Sequence, residues 1–354
     1  MTSEAKRIAV VPGDGIGPEV IAEAVGVLEH LRETHGVELE LKHFDWGADK
    51  FLSEGVTLPA GALEMLTSDF DAILAGAFGD PRVPSNQHAE DILLGMRRGL
   101  DLYINLRPVR LLHARLTPLR DRAVEDIDFV VFRENTEGAY SGAGGFLKKG
   151  TPDEIATQEE LNTRKGVERI IVAAFEYARA HGRRRVTMAD KSNVQRFGGD
   201  LWQRVFKEVG ARYGDIEANH QYVDATAMFM VLNPQQYGVV VTSNLFGDIL
   251  TDLGAALQGG LGLAASGNIH PGRVSLFEPV HGSAPPLAGK REANPAGAIL
   301  SAALMLEYLG QTEAAGAVER AVRDSIAAGE TTRDLGGQLS TTQAGERIRS
   351  RIKL

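Results

Sequence analysis

The chain reads as an α/β protein with a largely parallel sheet, divided into two domains. Three observations lead there. Short apolar runs suited to buried strands alternate with longer stretches of helical periodicity. The length, 354 residues, exceeds what one hydrophobic core usually serves. Polar residues also gather just past the carboxyl ends of the strand candidates, where open α/β sheets place their ligands: Asp14, Arg133, Lys191 and Asn244.

The elements follow in order. Arg7-Ile8-Ala9-Val10-Val11 is a short buried strand, Pro12 to Gly17 a glycine-rich turn, and Pro18 stands where a helix begins. Val20, Ala24, Val27, Leu28 and Leu31 mark the apolar face of that helix, and Gly36 closes it. Val37 to Phe44 alternates as a half-covered strand. Further strands end at Ala75, Phe132, Met188 and Thr242, and helices occupy Thr163 to Ala180, Asp200 to Glu208 and Pro295 to Leu309. Met96 to Pro108 reads as a strand-like apolar segment that carries two arginines.

Composition excludes several classes. Apolar residues at 43% and charged residues at 24% are ordinary for a globular chain and do not suit disorder. A net charge of -9 disfavours nucleic acid as a partner. The basic run Arg183-Arg184-Arg185 reads as a solvated edge. With no cysteine, disulfides, thiolate metal sites and cysteine nucleophiles drop out. Met1 to Lys6 is short and polar, with no secretory signal, and the longest apolar stretch, Ala296 to Leu306, is too short to span a bilayer. A soluble, cytoplasmic protein with no membrane partner is expected.

Chemistry enters with Asn244-Leu245-Phe246-Gly247-Asp248-Ile249-Leu250-Thr251-Asp252-Leu253, which follows a strand and opens a helix. Asp248 and Asp252, four apart, stack on one helical face and repel unless a cation lies between them. Hard oxygen ligands without Cys or His point to Mg2+ or Mn2+. Favouring the helix N-terminus would explain Asp248, but Asp252 lies beyond the first turn. Ile249, Leu250 and Leu253 mark the neighbouring face as buried.

Arg97, Arg107 and Arg133 lie near predicted strand ends. Taken singly, each reads as a structural ion pair. Together they bring the ligand reading level and favour a substrate with two or more carboxylates. Tyr140 and Lys191 suit proton transfer in a desolvated cleft, though each alone reads more readily as structural. Gly13-Asp14-Gly15-Ile16-Gly17 lacks dinucleotide-fingerprint spacing and reads as a tight turn lining a cleft. No Walker A run exists. His281-Gly282-Ser283-Ala284-Pro285 lacks a nucleophile elbow and suits a backbone-rich loop around a phosphate or adenine.

In this order, and over nearly the whole chain to Asp334-Leu335-Gly336-Gly337, these motifs resemble the β-hydroxyacid oxidative decarboxylases. That family comprises isopropylmalate, isocitrate, homoisocitrate, and tartrate or D-malate dehydrogenases. The stretches Asn244 to Leu253 and Phe277 to Pro285 carry the likeness most specifically. It implies a two-domain fold with a mixed, largely parallel sheet that is not a Rossmann fold. Residues 1–102 plus 260–354 would be the larger, cofactor-binding domain, and 103–259 the dimerisation and catalytic domain. A homodimer with shared active sites is implied. Arg97, Arg107 and Arg133 would hold substrate carboxylates. Asp248 and Asp252, with Asp224 of the partner subunit, would hold Mg2+ or Mn2+. Lys191, also contributed across the dimer, would take the base role, and Tyr140 would protonate the product carbanion. His281, Gly282, Ser283, Ala284, Asn294 and Asp334 would contact the dinucleotide.

The run Glu90-Asp91-Ile92-Leu93-Leu94-Gly95-Met96 resembles the isopropylmalate branch. Glu90, Leu93 and Leu94 would then line the substrate side, with the leucines as an apolar wall for an isopropyl group. Such selection is worth about 1–3 kcal/mol per methylene. The resemblance therefore implies oxidation of 3-isopropylmalate to 4-methyl-2-oxopentanoate and CO2, a step of leucine biosynthesis. D-malate, tartrate, homoisocitrate and isocitrate are the alternatives within the family, and a regulatory ligand-binding subunit is the alternative outside catalysis. NAD is the expected cofactor. One departure bears on it: Pro286 and Leu287 stand where NAD-dependent relatives usually carry an acidic residue.

Overall fold

The computed structural model describes residues 5–354, so the start of the polar run Met1 to Lys6 lies outside the described residues. Among the described residues, twelve strands run in chain order as β1 (Lys6–Gly13), β2 (Leu39–His43), β3 (Ala72–Ala77), β4 (Ile104–Arg110), β5 (Asp128–Glu134) and β6 (Gly144–Leu147). They continue as β7 (Ile155–Gln158), β8 (Arg185–Asp190), β9 (Glu217–Tyr222), β10 (Val239–Thr242), β11 (Ala265–Ile269) and β12 (Ser275–Pro279). The architecture is α/β, mixed and largely parallel. Two compact units share the chain: Met1–Leu102, Leu111–Val124 and Ala255–Leu354 form one, and Tyr103–Arg110 with Glu125–Gly254 form the other.

In the first unit the strands lie in the order β2-β1-β3-β12-β11. β1 pairs parallel with β2 and β3, β12 parallel with β3, and β11 antiparallel to β12. A strand from the last quarter of the chain thus flanks β3, which departs from the strand order of a Rossmann half. The helix Gly17–His35 ends as its sequence dictates: Gly36 takes φ 67°, and its amide donates to the Leu31 carbonyl. That helix buries Val20, Ile21, Ala24, Val27, Leu28 and Leu31. Each of the buried Val, Ile and Leu side chains contributes about 1.5–3 kcal/mol.

The second unit orders its strands β4-β5-β10-β8-β9. β4 runs antiparallel to β5, and the others pair in parallel. β10 is buried on both faces, which explains its unbroken Val-Val-Val. The helix Arg164–Ala180 starts where Thr163 accepts the Gly166 amide at 2.9 Å. β6 and β7 form a separate hairpin whose residues are all exposed.

Two expectations need correction. Met96 to Pro108 is not one strand-like segment. Arg97 belongs to a helical turn, Gly95–Gly99, and only Ile104–Arg110 is extended. The break comes at Asp101, whose φ of 51° lies in the left-handed region that Asp tolerates. The second concerns Ile249, which is 57% exposed although Leu250 beside it is fully buried. The apolar stripe of that helix is therefore wider than its packed face. Among the described residues, no helix is long and apolar enough to cross a membrane.

Candidate active site

The second unit brings three singled-out residues onto the carboxylate of a fourth. Asp248 lies in the helix Asn244–Gln258, one turn in from its start. Its Oδ1 accepts from Arg133 Nη1 and lies 3.6 Å from Arg107 Nη1, and its Oδ2 accepts from the Tyr140 hydroxyl at 2.9 Å. Burial pushes the Asp248 carboxyl upward, but the guanidinium groups of Arg133 and Arg107 outweigh it and hold the group below its ordinary value. Burial, reinforced by Asp248, raises the Tyr140 phenol, so it stays protonated. Arg133 is 2% exposed and stacks over the Tyr140 ring at 5.2 Å.

Local sequence explains the geometry. A Cβ on Gly247 would sit 2.5 Å from Arg133 Cγ, so only glycine leaves room for the arginine stem against the helix. Asn244 Oδ1 accepts from Arg133 Nε at 3.0 Å and Nη2 at 2.7 Å, and Thr251 Oγ1 accepts from Arg107 Nη1 at 2.6 Å. The loop carrying Tyr140 is pinned by buried Glu134, which accepts from the amides of Thr136 and Glu137 at 2.9 and 2.8 Å. Asn244 was expected at a strand end, as Arg133 was, whereas the partners Thr251 and Glu134 were not anticipated. Their signal was present only as polar residues at apolar-looking positions beside the arginines.

Asp252 shares the helix one turn further on and is exposed. Asp224 and Lys191 form a separate pair, with Lys191 Nζ donating to Asp224 Oδ1 at 2.6 Å. Hydrogen bonding by Lys191 holds the Asp224 carboxyl below its ordinary value. Behind the lysine, Asp190 accepts from Ser192 and Gln203 and bonds His220 Nε2 at 2.9 Å, a cluster that spacing did not reveal. Among the described residues, no three acidic or histidine side chains converge as a metal site. Asp248 and Asp252 nevertheless fit a hard divalent cation by donor type, as carboxylate oxygens four residues apart on one helix.

In the first unit, Arg97 is buried and donates to Glu278 Oε1 at 2.8 Å. Glu278 thus supplies an anionic partner for the buried guanidinium of Arg97. Glu90 to Leu94 form a single π-helical turn leading into the Arg97 turn. Glu90 is exposed, and Leu93 and Leu94 are half-buried. The loop His281 to Ala284 offers a fit for a nucleotide. His281 Nε2 is buried with no partner among the described residues, while a Cβ on Gly282 would meet open space. Burial lowers the His281 imidazole, keeping it neutral. Ala284 is held at φ 40°, and Asn294 Nδ2 donates to Asp334 Oδ2 at 3.0 Å.

Comparison with known proteins agrees in kind. A family described as isocitrate/isopropylmalate dehydrogenase matches residues 7–348. The 3-isopropylmalate dehydrogenase of Thermobifida fusca is 49% identical over 99% of both chains. That of Frankia casuarinae is 48% identical, over 96% of this chain and all of its own. The crystal structure of isocitrate dehydrogenase from Methylococcus capsulatus superposes with a TM-score of 0.89 at 38% identity, covering 99% of this chain and 100% of that one.

Proposed function

We propose an activity for this chain from the premise that it belongs to the isocitrate/isopropylmalate dehydrogenase family, whose members are oxidative decarboxylases. It oxidises 3-isopropylmalate with NAD and releases CO2, giving 4-methyl-2-oxopentanoate, in the cytoplasm and as a homodimer. The observation that carries this reading is the cluster of Arg107, Arg133 and Tyr140 around Asp248. Two guanidinium groups beside a phenol and a carboxylate suit a diacid that must be both held and protonated.

Arg107 and Arg133 bind the substrate carboxylates, and their contacts to Thr251 and Asn244 fix the angle at which they do so. Leu93 and Leu94 select the isopropyl group by exclusion of water. Glu90 and Arg97 complete the substrate contacts. Mg2+ or Mn2+ held by Asp248, Asp252 and Asp224 of the partner subunit would supply Lewis acidity to the 2-hydroxyl and its carboxylate. His281, Gly282, Ser283, Ala284, Asn294 and Asp334 hold NAD, the hydride acceptor. Lys191 takes the hydroxyl proton. Tyr140 keeps its proton, because burial and Asp248 raise its phenol, and delivers it to carbon 3 once the carboxylate has left.

The dimer reading draws on an exposed apolar surface of the second unit. Met228 and Leu232, in the helix Val223–Leu232, are 49% and 59% exposed, and Ile249 shares this character. Asp224 lies in the first turn of that same helix.

Steady-state kinetics with Mn2+ test the assignment. Absorbance of reduced nicotinamide is followed with 3-isopropylmalate, D-malate, tartrate, isocitrate and homoisocitrate, each with NAD and NADP. The highest kcat/KM is expected for 3-isopropylmalate with NAD, and chelation should abolish it. A clear preference for another diacid, or for NADP, would overturn the corresponding part.

A further inference from the structure

We infer that His88 is a positioning residue: paired with Asp14, it anchors the segment 84–99 to the turn that supports the Ser283 loop. His88 is fully buried, its Nε2 lies 2.7 Å from Asp14 Oδ2, and its ring stacks on Phe51 at 6.1 Å between centroids. The Asp14 carboxylate is a hub. Its Oδ1 accepts the Ala48 amide at 2.7 Å, and its Oδ2 also accepts the Gly79 amide at 2.8 Å. Three separate stretches of chain therefore meet on one buried anion.

The hub bears directly on the loop of His281 to Ala284. The Ile16 amide donates to the Ser283 carbonyl at 2.9 Å. A Cβ on Gly15, at φ 59°, would lie 2.0 Å from that same oxygen. Gly79, whose amide Asp14 holds, presents its Cα to Ser283 Oγ, where a Cβ would stand 3.2 Å away. Displacing Asp14 thus moves what Ser283 rests on.

On its other side the hub restrains an irregular segment. Ser85 and Asn86 both lie in the left-handed region, at φ 55° and 52°. They are followed by the short turn Gln87–Ala89 and the π-helical turn Glu90–Leu94. Consecutive left-handed L-residues and a π turn persist only where surrounding contacts hold them. Ile92 and Met96 pack into the core and Arg97 pairs with Glu278 further along, but beside the left-handed residues themselves the buried polar contact is that of His88. Resting on the reading of Glu90, Leu93, Leu94 and Arg97 as substrate residues, His88 then acts through them on substrate affinity.

The test compares wild type with His88→Leu, which keeps an apolar buried side chain but removes the donor, and His88→Gln, which retains one. Hydrogen exchange of the full-length protein should accelerate about tenfold across residues 84–99 in the leucine variant and return toward wild type in the glutamine variant. With 3-isopropylmalate, KM should rise about tenfold in the leucine variant while kcat changes less than about threefold. Unchanged exchange in 84–99, or a uniform rise over the whole chain, overturns the proposal. So does an unchanged KM in an active leucine variant. The exchange readout needs no activity, so a wild type that turns over no diacid would refute the functional reading alone. Should the leucine variant not fold, His88→Asn, polar but too short to reach Asp14, carries the same comparison.

Discussion

Asp248 concentrates the chemistry of the second unit in one side chain, because its two oxygens face different groups. Oδ1 meets the guanidinium groups and Oδ2 meets the phenol. Replacing it with Asn keeps the volume but removes the charge that both the arginines and a divalent cation require. The expected result for Asp248→Asn is a fall in kcat/KM on the order of a thousandfold or more, reflecting several kcal/mol of lost transition-state stabilisation. Circular dichroism should stay unchanged, since Arg133 retains Asn244 as a partner. Turnover near the wild-type rate would sink the metal-ligand reading. At this scale the carboxylate pair and the arginines were legible, because charges beside apolar runs stand out in a sequence. The Asp14–His88 pair and the Glu278 partner of Arg97 were not, since 74 and 181 residues separate their members. Only the fold brings such pairs together.

Secondary-structure elements were legible where one period dominated. The helices Gly17–His35 and Arg164–Ala180 and the strand β10 follow their apolar spacing to within a residue or two. Met96 to Pro108 was misread because four apolar residues around a left-handed Asp101 hide a change of element. Ile249 was misplaced for a different reason: a wide apolar stripe does not say which part of it another element covers. The contact between the helices Arg164–Ala180 and Arg196–Gly210 supplies a test at this scale. Tyr213, just beyond the second helix, donates to Glu176 Oε1 at 2.5 Å and stacks on Phe175 at 4.9 Å. Burial first, and Glu176 second, push its phenol up to about 12. A raised value means the folded state favours the protonated phenol. Its contribution is therefore full below the ordinary tyrosine value of about 10 and is lost as pH rises through about 12. Tyr213→Phe should lower stability near neutrality by about 1 kcal/mol, the net worth of an ordinary hydrogen bond, because the Glu176 end of the pair is exposed and screened by water. It should also show a shallower loss than wild type above about pH 10. Urea melts across that range give both quantities, and parallel pH curves for the two proteins would refute the assignment.

For the whole molecule, the decisive feature is that the chemical groups of the second unit form two clusters. Asp248, Arg107, Arg133 and Tyr140 make one, and Lys191 with Asp224 make the other. No three acidic or histidine groups among the described residues converge within one chain. In the proposed two-fold dimer, each copy would complete the other's site. Mixing two inactive variants tests this arrangement. Asp248→Asn leaves its own Lys191 intact, and Lys191→Met leaves its own Asp248 intact. After denaturation and refolding together in equal amounts, half of the dimers should be hybrids. In each hybrid one site combines two damaged residues, and the other combines Asp248 of one copy with Lys191 of the other, both intact. Recovered activity should then approach about a quarter of wild type, half the dimers carrying one good site of two. A site confined to one chain allows no such rescue, because every chain in the mixture carries a lesion. Activity that stays at the level of the separate variants, in a mixture shown by mass to contain hybrids, would refute the shared site while leaving the roles of Asp248 and Lys191 standing.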